Sequence, residues 1–124
     1  MNGFIVKDKA SLFPMMRSLY HHKMMDVFKW ILKHYPTFPI VITSTYRPKS
    51  RGVHGTLACR GIDLRSRHVK QIVKEDIERM LNKYFEYDFE RPSKQVCYLR
   101  PKDYKSGPHF HIQVHPNTQR RVEP

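Results

Sequence analysis

Three histidines occupy odd-numbered positions in the segment GPHFHIQVHP, residues 107–116. Side chains on a β-strand alternate between its two faces, so His109, His111, Gln113 and His115 are predicted to share one face, and the apolar residues between them the other. Imidazole can bind a transition metal or transfer a proton near neutral pH. An exposed polar face opposite a buried one would give the same pattern, so a chemical role needs partner residues from elsewhere in the chain.

Candidate partners lie upstream, in the segment STYRPKSRGVHGTLACRGIDLR, residues 44–65. Asp63 is the only carboxylate between Arg47 and Arg67, and a carboxylate on a strand among basic residues is either ion-paired or bound to a cation. Two histidines and one aspartate from separate segments are a reasonable set of protein ligands for zinc. Three such ligands leave the fourth tetrahedral position open for water. Cys59 is a rival ligand, because thiolate also binds zinc well.

An open fourth position is the feature that separates catalytic zinc sites from structural ones. Zinc lowers the pKa of its bound water to about 7 and polarises a carbonyl group. Such a site would therefore favour hydrolysis.

The order of these motifs resembles that of the M15 family of zinc peptidases. STYR, then a histidine loop ending in GIDLR, then a late HFH strand are the parts that match, over residues 41–115. The family includes D-Ala-D-Ala carboxypeptidases and small phage endolysins, and its fold is related to the LAS and hedgehog folds. The resemblance implies a zinc cofactor and a peptide substrate from peptidoglycan.

The resemblance also implies roles for individual residues. His54 and Asp63 would be zinc ligands from the central motif, and His111 would be the third. His109 would lie beside the metal-bound water and take its proton or steady the tetrahedral intermediate. Arg47 would hold a substrate carbonyl or carboxylate.

Two further residues are expected to border the substrate groove. Ser44 begins the STYR motif, and His115 lies on the imidazole face about 13 Å along the strand from His111, at roughly 3.3 Å per residue. Both are predicted to bind substrate and not metal.

The periodicity of apolar residues predicts one α+β domain, residues 1–124, with a mainly antiparallel sheet flanked by two amphipathic helices. The resemblance implies a hedgehog or D-Ala-D-Ala-peptidase-like version of this class. The tail after Pro116 is expected to be frayed. In chain order the predicted elements are a helix from Pro14 to Tyr35 capped by Ser11, strands at Phe38 to Tyr46 and Gly61 to Arg65, a helix from Val69 to Phe85, and a hairpin of strands within residues 95–101 and 109–115.

The chain is strongly basic, with 23 Lys and Arg residues against 11 acidic ones and a formal net charge of +12. This balance predicts a polyanionic partner, and nucleic acid, an anionic membrane surface and an anionic cell-wall polymer all fit it. The N-terminal segment lacks the apolar stretch of a signal peptide, and no run is long enough to span a bilayer. We therefore expect a monomer made in the cytoplasm, similar to phage endolysins that act on the wall.

The leading hypothesis is a zinc metallopeptidase, a D,D-carboxypeptidase or endopeptidase, that hydrolyses peptidoglycan stem peptides through a metal-activated water. One alternative is a nucleic-acid nicking or binding protein, because His-hydrophobic-His is also a signature of single-strand nicking enzymes. That class needs a nucleophilic tyrosine, typically after the histidine pair. No tyrosine follows His111, and the candidates are tyrosines that precede the pair, such as Tyr84 and Tyr87. A second alternative is a non-catalytic zinc-binding module of the same fold, since Pro108 stands where part of the family has an acid.

Overall fold

A computed structural model describes residues 4–5, 20–38, 40–44 and 59–121 of the chain. The predicted cap Ser11, Arg47 and His54 lie outside these residues. The elements in chain order are β1 (Phe4–Ile5), α1 (His22–His34), β2 (Val41–Ser44), β3 (Gly61–Arg65), α2 (Gln71–Tyr84), β4 (Phe85–Glu86), β5 (Cys97–Arg100), β6 (His109–Gln113) and β7 (Gln119–Arg120).

The main sheet has the strand order β1-β2-β3-β6-β5, and each neighbouring pair is antiparallel. Strands β5 and β6 form the predicted hairpin, and β3 has the predicted bounds. The α+β class with a small antiparallel sheet is therefore confirmed. Since β6 lies between β3 and β5, the strand that carries the histidine pair is internal to the sheet.

Both helices contribute to one hydrophobic core that covers a single face of the sheet. From α1 come Met24, Val27, Phe28 and Ile31, at the three- and four-residue spacing of an amphipathic helix. The shorter apolar stripe of α2 consists of Ile77 and Leu81. On the sheet, the same core contains Ile62 and Leu64 of β3 and Phe110 and Ile112 of β6.

The first helix begins later than the apolar periodicity predicts. Tyr20 forms an isolated parallel bridge with Cys59, and the backbone N–H of His21 donates to the Cys59 carbonyl at 3.0 Å. These contacts hold residues 20 and 21 in extended conformation, so α1 starts at His22 with His21 as its N-cap. The prediction of a helix through Tyr20 and His21 is thus wrong, and residues 14–19 lie outside the described part. Among the helices that the structure describes, none is long and apolar enough to cross a membrane.

The other element boundaries differ from the predictions by smaller amounts. Strand β2 covers Val41–Ser44, so the predicted strand from Phe38 starts three residues too early, although Phe38 and Ile40 are buried. Helix α2 lies within the predicted range, and its N-cap is Lys70.

The segment after Pro116 is ordered through residue 121, contrary to the expectation of a frayed tail. Gln119 and Arg120 pair with Glu86 and Phe85 as the two-stranded sheet β4-β7. The hydroxyl of the buried Thr118 donates to the Tyr87 carbonyl at 2.8 Å. Polar contacts rather than apolar periodicity hold this segment, so hydrophobicity patterns did not reveal it.

Asp88 anchors the same segment from the other side. Only 2% of this residue is exposed, and its carboxylate accepts hydrogen bonds from the Asn117 side chain, the Glu90 backbone N–H and the Arg91 guanidinium. Burial by itself would raise the pKa of Asp88. The hydrogen bonds and the nearby His115 outweigh burial and lower the pKa from 3.8 to about 2.

This lowered pKa predicts an acid-dependent loss of stability. The stabilisation by ionised Asp88 is complete above its unfolded pKa near 3.8, and it is lost as the pH falls toward the folded pKa of about 2. Wild type is therefore expected to exceed Asp88→Asn in stability at pH 5, and the difference should shrink by pH 2. Urea denaturation across this range measures it, with the exposed Asp103→Asn as control. A difference that stays constant with pH would contradict the assignment.

Candidate functional site

The face of the sheet opposite the core carries polar side chains in two rows across β3, β6 and β5. The rows follow directly from the strand register, in which each β6 histidine has one partner on either side. Because alternate residues share a face, the members of both rows lie together. One row is Asp63, His111 and Tyr98, and the other is Arg65, His109 and Arg100.

His111 lies between two acceptor groups. Its Nδ1 is 3.0 Å from Oδ1 of Asp63, and its Nε2 is 3.1 Å from Oε1 of Gln113. The amide nitrogen of Gln113 donates to the Gln95 carbonyl at 2.8 Å, which turns the amide oxygen toward His111. Nε2 is therefore assigned as the protonated nitrogen that donates to Gln113, and Nδ1 faces the carboxylate. The lone pair of Nδ1 and the Asp63 carboxylate are thus both available to a cation that binds the two atoms together.

His109 is oriented in a similar way by the turn that precedes β6. Its Nδ1 is 2.9 Å from the Gly107 carbonyl, so Nδ1 carries the proton and donates it. The lone pair is thereby placed on Nε2, which is 3.9 Å from Oδ1 of Asp63. Gly107 has φ +85°, a conformation that glycine adopts without the strain that a Cβ would bring. The turn thus fixes the tautomer of His109.

The two histidines and Asp63 line a cavity of about 690 Å³. Their side chains keep between 11% and 16% of their surface exposed, so they are largely desolvated yet reachable from the cavity. Tyr104 contacts His109 edge-on at 5.7 Å between ring centroids, and Thr43 lines the wall nearest β2. A reactant in this cavity would contact both imidazoles and the carboxylate.

The predicted zinc ligands fall partly within the described residues. Asp63 and His111 are brought together, and their 3.0 Å separation is close to the roughly 3.4 Å between neighbouring ligand atoms of tetrahedral zinc. Within the described ranges, no group of three or more His, Cys, Asp or Glu side chains could hold a metal ion by itself. The third predicted ligand, His54, lies outside them. The residues present therefore fit two positions of a three-ligand site.

The rival ligand Cys59 lies in the hydrophobic core. It is 1% exposed, and its thiol donates to the Gly61 carbonyl at 3.1 Å. Cys59 is not among the residues that line the cavity of Asp63 and His111. This position favours Asp63 over Cys59 as the ligand from this segment.

The two residues predicted to border the substrate groove, Ser44 and His115, lie in different parts of the structure. Ser44 is the last residue of β2, and its backbone pairs in register with Asp63. His115 follows the end of β6 and turns away from the cavity, with Nδ1 3.7 Å from Oδ2 of Asp88 and its ring 5.7 Å from that of Tyr87. The structure therefore places His115 with the Asp88 cluster and not with His109 and His111.

Two cavity residues that flank His109, Arg65 and Arg100, were not identified from the sequence. Gln113 was placed on the histidine face, but its part in orienting His111 was not predicted. Each lies two residues from another member of the polar face, which is the spacing that a strand requires. The pairing register that brings Arg65 and Arg100 to His109 was the missing information.

A larger cavity, about 950 Å³, lies between the end of α1 and the start of α2. Asp76, one of two carboxylates that line it in the described part of the chain, accepts hydrogen bonds from the Tyr35 hydroxyl at 2.6 Å and from Arg79. Burial, followed by the hydrogen bond to Asp76, raises the pKa of Tyr35 above its ordinary value. Because these groups already satisfy one another, the smaller cavity with the oriented histidines is the better candidate for chemistry.

Comparisons of this chain with protein-family models, with curated proteins and with solved structures gave no match. The candidate function accordingly depends on the geometry of the site and on the motif resemblance.

Proposed function

We propose that the protein is a zinc-dependent peptidase with a hedgehog or D-Ala-D-Ala-peptidase-like fold, as the resemblance to the M15 family implies. The observation that carries the proposal is the convergence of Asp63, His111 and His109 on one cavity. Each imidazole has one nitrogen engaged by an oxygen acceptor and the other directed toward the same carboxylate oxygen. This arrangement is typical of histidines that serve metal sites, where an acceptor behind the ring sets its tautomer and orientation.

In the proposed site Asp63 and His111 hold the zinc ion together with His54. A bound zinc ion supplies Lewis-acid activation of a water molecule and of the scissile carbonyl. Gln113 keeps the ring of His111 in place through Nε2, and the Gln95 carbonyl in turn keeps Gln113 in place. Removal of such supporting groups typically lowers metal affinity by about 10- to 100-fold.

His109 is the proposed general base. Its Nε2 lone pair faces the cavity, and the Gly107 carbonyl stabilises the imidazolium that forms when Nε2 accepts a proton from the attacking water. His109 can then transfer that proton to the amine that leaves. Part of the M15 family has an acidic residue as the base at the position of Pro108. In this chain His109 would take over that role. Arg47 is proposed to hold the substrate carbonyl or carboxylate, and Ser44 to border the groove.

The proposed substrate class is the stem peptide of peptidoglycan, cleaved as by a D,D-carboxypeptidase or an endopeptidase. The net charge of +12 would attract the protein to anionic wall polymers. By the resemblance to small endolysins, we propose a monomeric, phage-type enzyme that is made in the cytoplasm and acts on the cell wall.

A second candidate function is nicking of single-stranded nucleic acid, and the position of Tyr104 favours it. Tyr104 lines the cavity beside His109, whereas Tyr84 packs near Trp30 and Tyr87 is buried near His115. Tyr104 lies in a turn before the histidine pair and not on a following helix, so the match to that class is partial. Loss of DNA nicking in Tyr104→Phe, with peptide hydrolysis absent in wild type, would establish this alternative.

The proposal is tested by measuring zinc content and by following amine release from purified peptidoglycan with and without a chelator. Wild type is expected to contain about one zinc ion per chain, as three ligands and an open position require, and to release amines only without chelator. Zinc without release would instead indicate the non-catalytic binding module, and a protein that binds no zinc would overturn the proposal.

The role of His109 is tested with His109→Gln. This variant is expected to keep its zinc and to lose about 10²- to 10⁴-fold in turnover, because glutamine cannot accept the proton from water. The matched control is His22→Gln, an exposed histidine on α1, which should retain both zinc and turnover. A His109→Gln variant with wild-type turnover would exclude His109 as the base.

A further inference from the structure

The cavity that contains the histidine pair is unusually rich in cations. Arg65, Arg67, Arg100 and Lys105 line it, and Asp63 is the single carboxylate among its described lining residues. A bound divalent ion at Asp63 would add further positive charge. The electrostatic field in this cavity therefore favours a negatively charged group beside the reacting atoms.

Arg65 provides specific evidence for such a group. Its Nε is buried and has no hydrogen-bond partner within the described part of the chain. A buried donor on a charged group is costly to leave unsatisfied. Arg65 also lines the cavity, so an anion bound there would lie beside a guanidinium group that has an unused donor.

Arg100 flanks His109 on the opposite side and is held by two aromatic rings. Its guanidinium carbon is 4.8 Å from the ring centroid of Tyr98 and 4.9 Å from that of Tyr104. Cation–π contacts on two rings restrict the side chain before any ligand arrives. Arg65 and Arg100 are separated by one strand, so their backbones are roughly 10 Å apart. Two arginine side chains are long enough to reach one ligand across that distance.

We propose that Arg65 and Arg100 form a carboxylate-binding subsite that selects peptides with a carboxylate next to the scissile bond. The subsite rests on the proposed peptidase function for its place in substrate selection, and it is separate from the predicted contact of Arg47. Arginine forks match the planar carboxylate and bind it with two parallel hydrogen bonds. The carboxylate comes either from a free C-terminus or from an acidic side chain.

A small peptide carboxylate fits the site better than a polyanionic chain. The Gly107–Pro108 turn and Tyr104 border the space around His109, and both arginines line the same cavity. The two arginines belong to the same row of the sheet, on either side of one histidine, and not to a line along the surface. This arrangement presents donors to one small anionic group.

The test is titration of ¹⁵N-labelled protein with three amino-acid derivatives, followed through the arginine Nε–H resonances. N-acetylglutamine carries only a terminal carboxylate, N-acetylglutamate amide carries only a side-chain carboxylate, and N-acetylglutamine amide carries neither. One or both carboxylate probes are expected to bind about 10- to 100-fold more tightly than the uncharged probe and to shift the Arg65 and Arg100 signals. The probe that binds more tightly identifies the source of the carboxylate.

Variants connect this binding to the two arginines. Arg65→Gln and Arg100→Gln should each weaken carboxylate binding about tenfold, while Lys33→Gln, with the same charge change on α1, should leave it within about twofold. Arg65→Lys retains the charge and most of the stem but lacks the fork, so it separates binding from folding. Circular dichroism of each variant checks the fold.

The experiment is carried out on zinc-loaded and zinc-free protein, so that it distinguishes the subsite from the proposed enzyme. Arginine-dependent binding in the zinc-free protein supports the subsite even if no peptide is hydrolysed. Equal binding of the three probes, or equal effects of Arg100→Gln and Lys33→Gln, would overturn it. Tight binding of polyphosphate with no binding of either carboxylate probe would also overturn it and indicate a phosphate polymer instead.

Discussion

Replacing Asp63 with asparagine is expected to lower zinc affinity by more than about 100-fold, which exceeds the loss typical of removing a supporting group behind a ligand. Peptide hydrolysis should fall to the background rate. The neutral amide keeps the shape of the carboxylate but loses its charge, and its NH₂ group would replace an acceptor that faces both His109 and His111. Zinc competition with a chelating dye and amine release from peptidoglycan measure the two effects.

The matched control is Asp26→Asn, which makes the same change at an exposed position of α1. It should bind zinc and turn over substrate as wild type does. Because asparagine is nearly isosteric with aspartate, the zinc-free Asp63→Asn protein should remain folded, as monitored by circular dichroism. Unchanged zinc affinity in Asp63→Asn would remove Asp63 from the ligand set.

Phe110→Ala is expected to destabilise the protein by about 3–5 kcal/mol, the usual range for truncating a fully buried phenylalanine. Phe110 is 1% exposed and packs edge-on against Phe38, with ring centroids 5.8 Å apart. Its removal leaves a cavity between the sheet and the helices. Urea denaturation of the wild type and the variant gives the difference in free energy of unfolding.

Phe89→Ala makes the same change at a residue that is 59% exposed. This variant should differ from wild type by less than about 0.5 kcal/mol, since surface substitutions away from special contacts are usually within that range. Comparable losses of unfolding free energy in Phe110→Ala and Phe89→Ala would show that the core face of β6 contributes less to stability than its burial indicates.

Strand β3 and the faces of β6 could be predicted from the sequence because local rules determine them. In GIDLR the apolar Ile62 and Leu64 alternate with the polar Asp63 and Arg65, and the strand observed is Gly61–Arg65. HFHIQ alternates polar residues with apolar ones, and His109 and His111 do share a face opposite the core residue Phe110. The convergence of Asp63 with His111 was predicted from motif order, and the register places them directly opposite each other.

Features that depend on long-range pairing could not be predicted in this way. Tyr20 continues the apolar stripe of the first helix, but its bridge to Cys59 makes that helix begin later, at His22. The β4-β7 pair depends on buried polar contacts to Tyr87 and Asp88, which no periodicity records. Similarly, nothing local places Arg65 and Arg100 on the two sides of one histidine.

The internal position of β6 in the sheet has a consequence for the entropy of ligand binding. Hydrogen bonds to β3 on one side and β5 on the other hold its backbone, and Phe110 and Ile112 anchor it in the core. Folding of the whole domain therefore immobilises His109 and His111 before any ion or peptide arrives. A ligand that binds them loses its own freedom but does not have to order these two side chains, so more of its interaction energy remains as affinity.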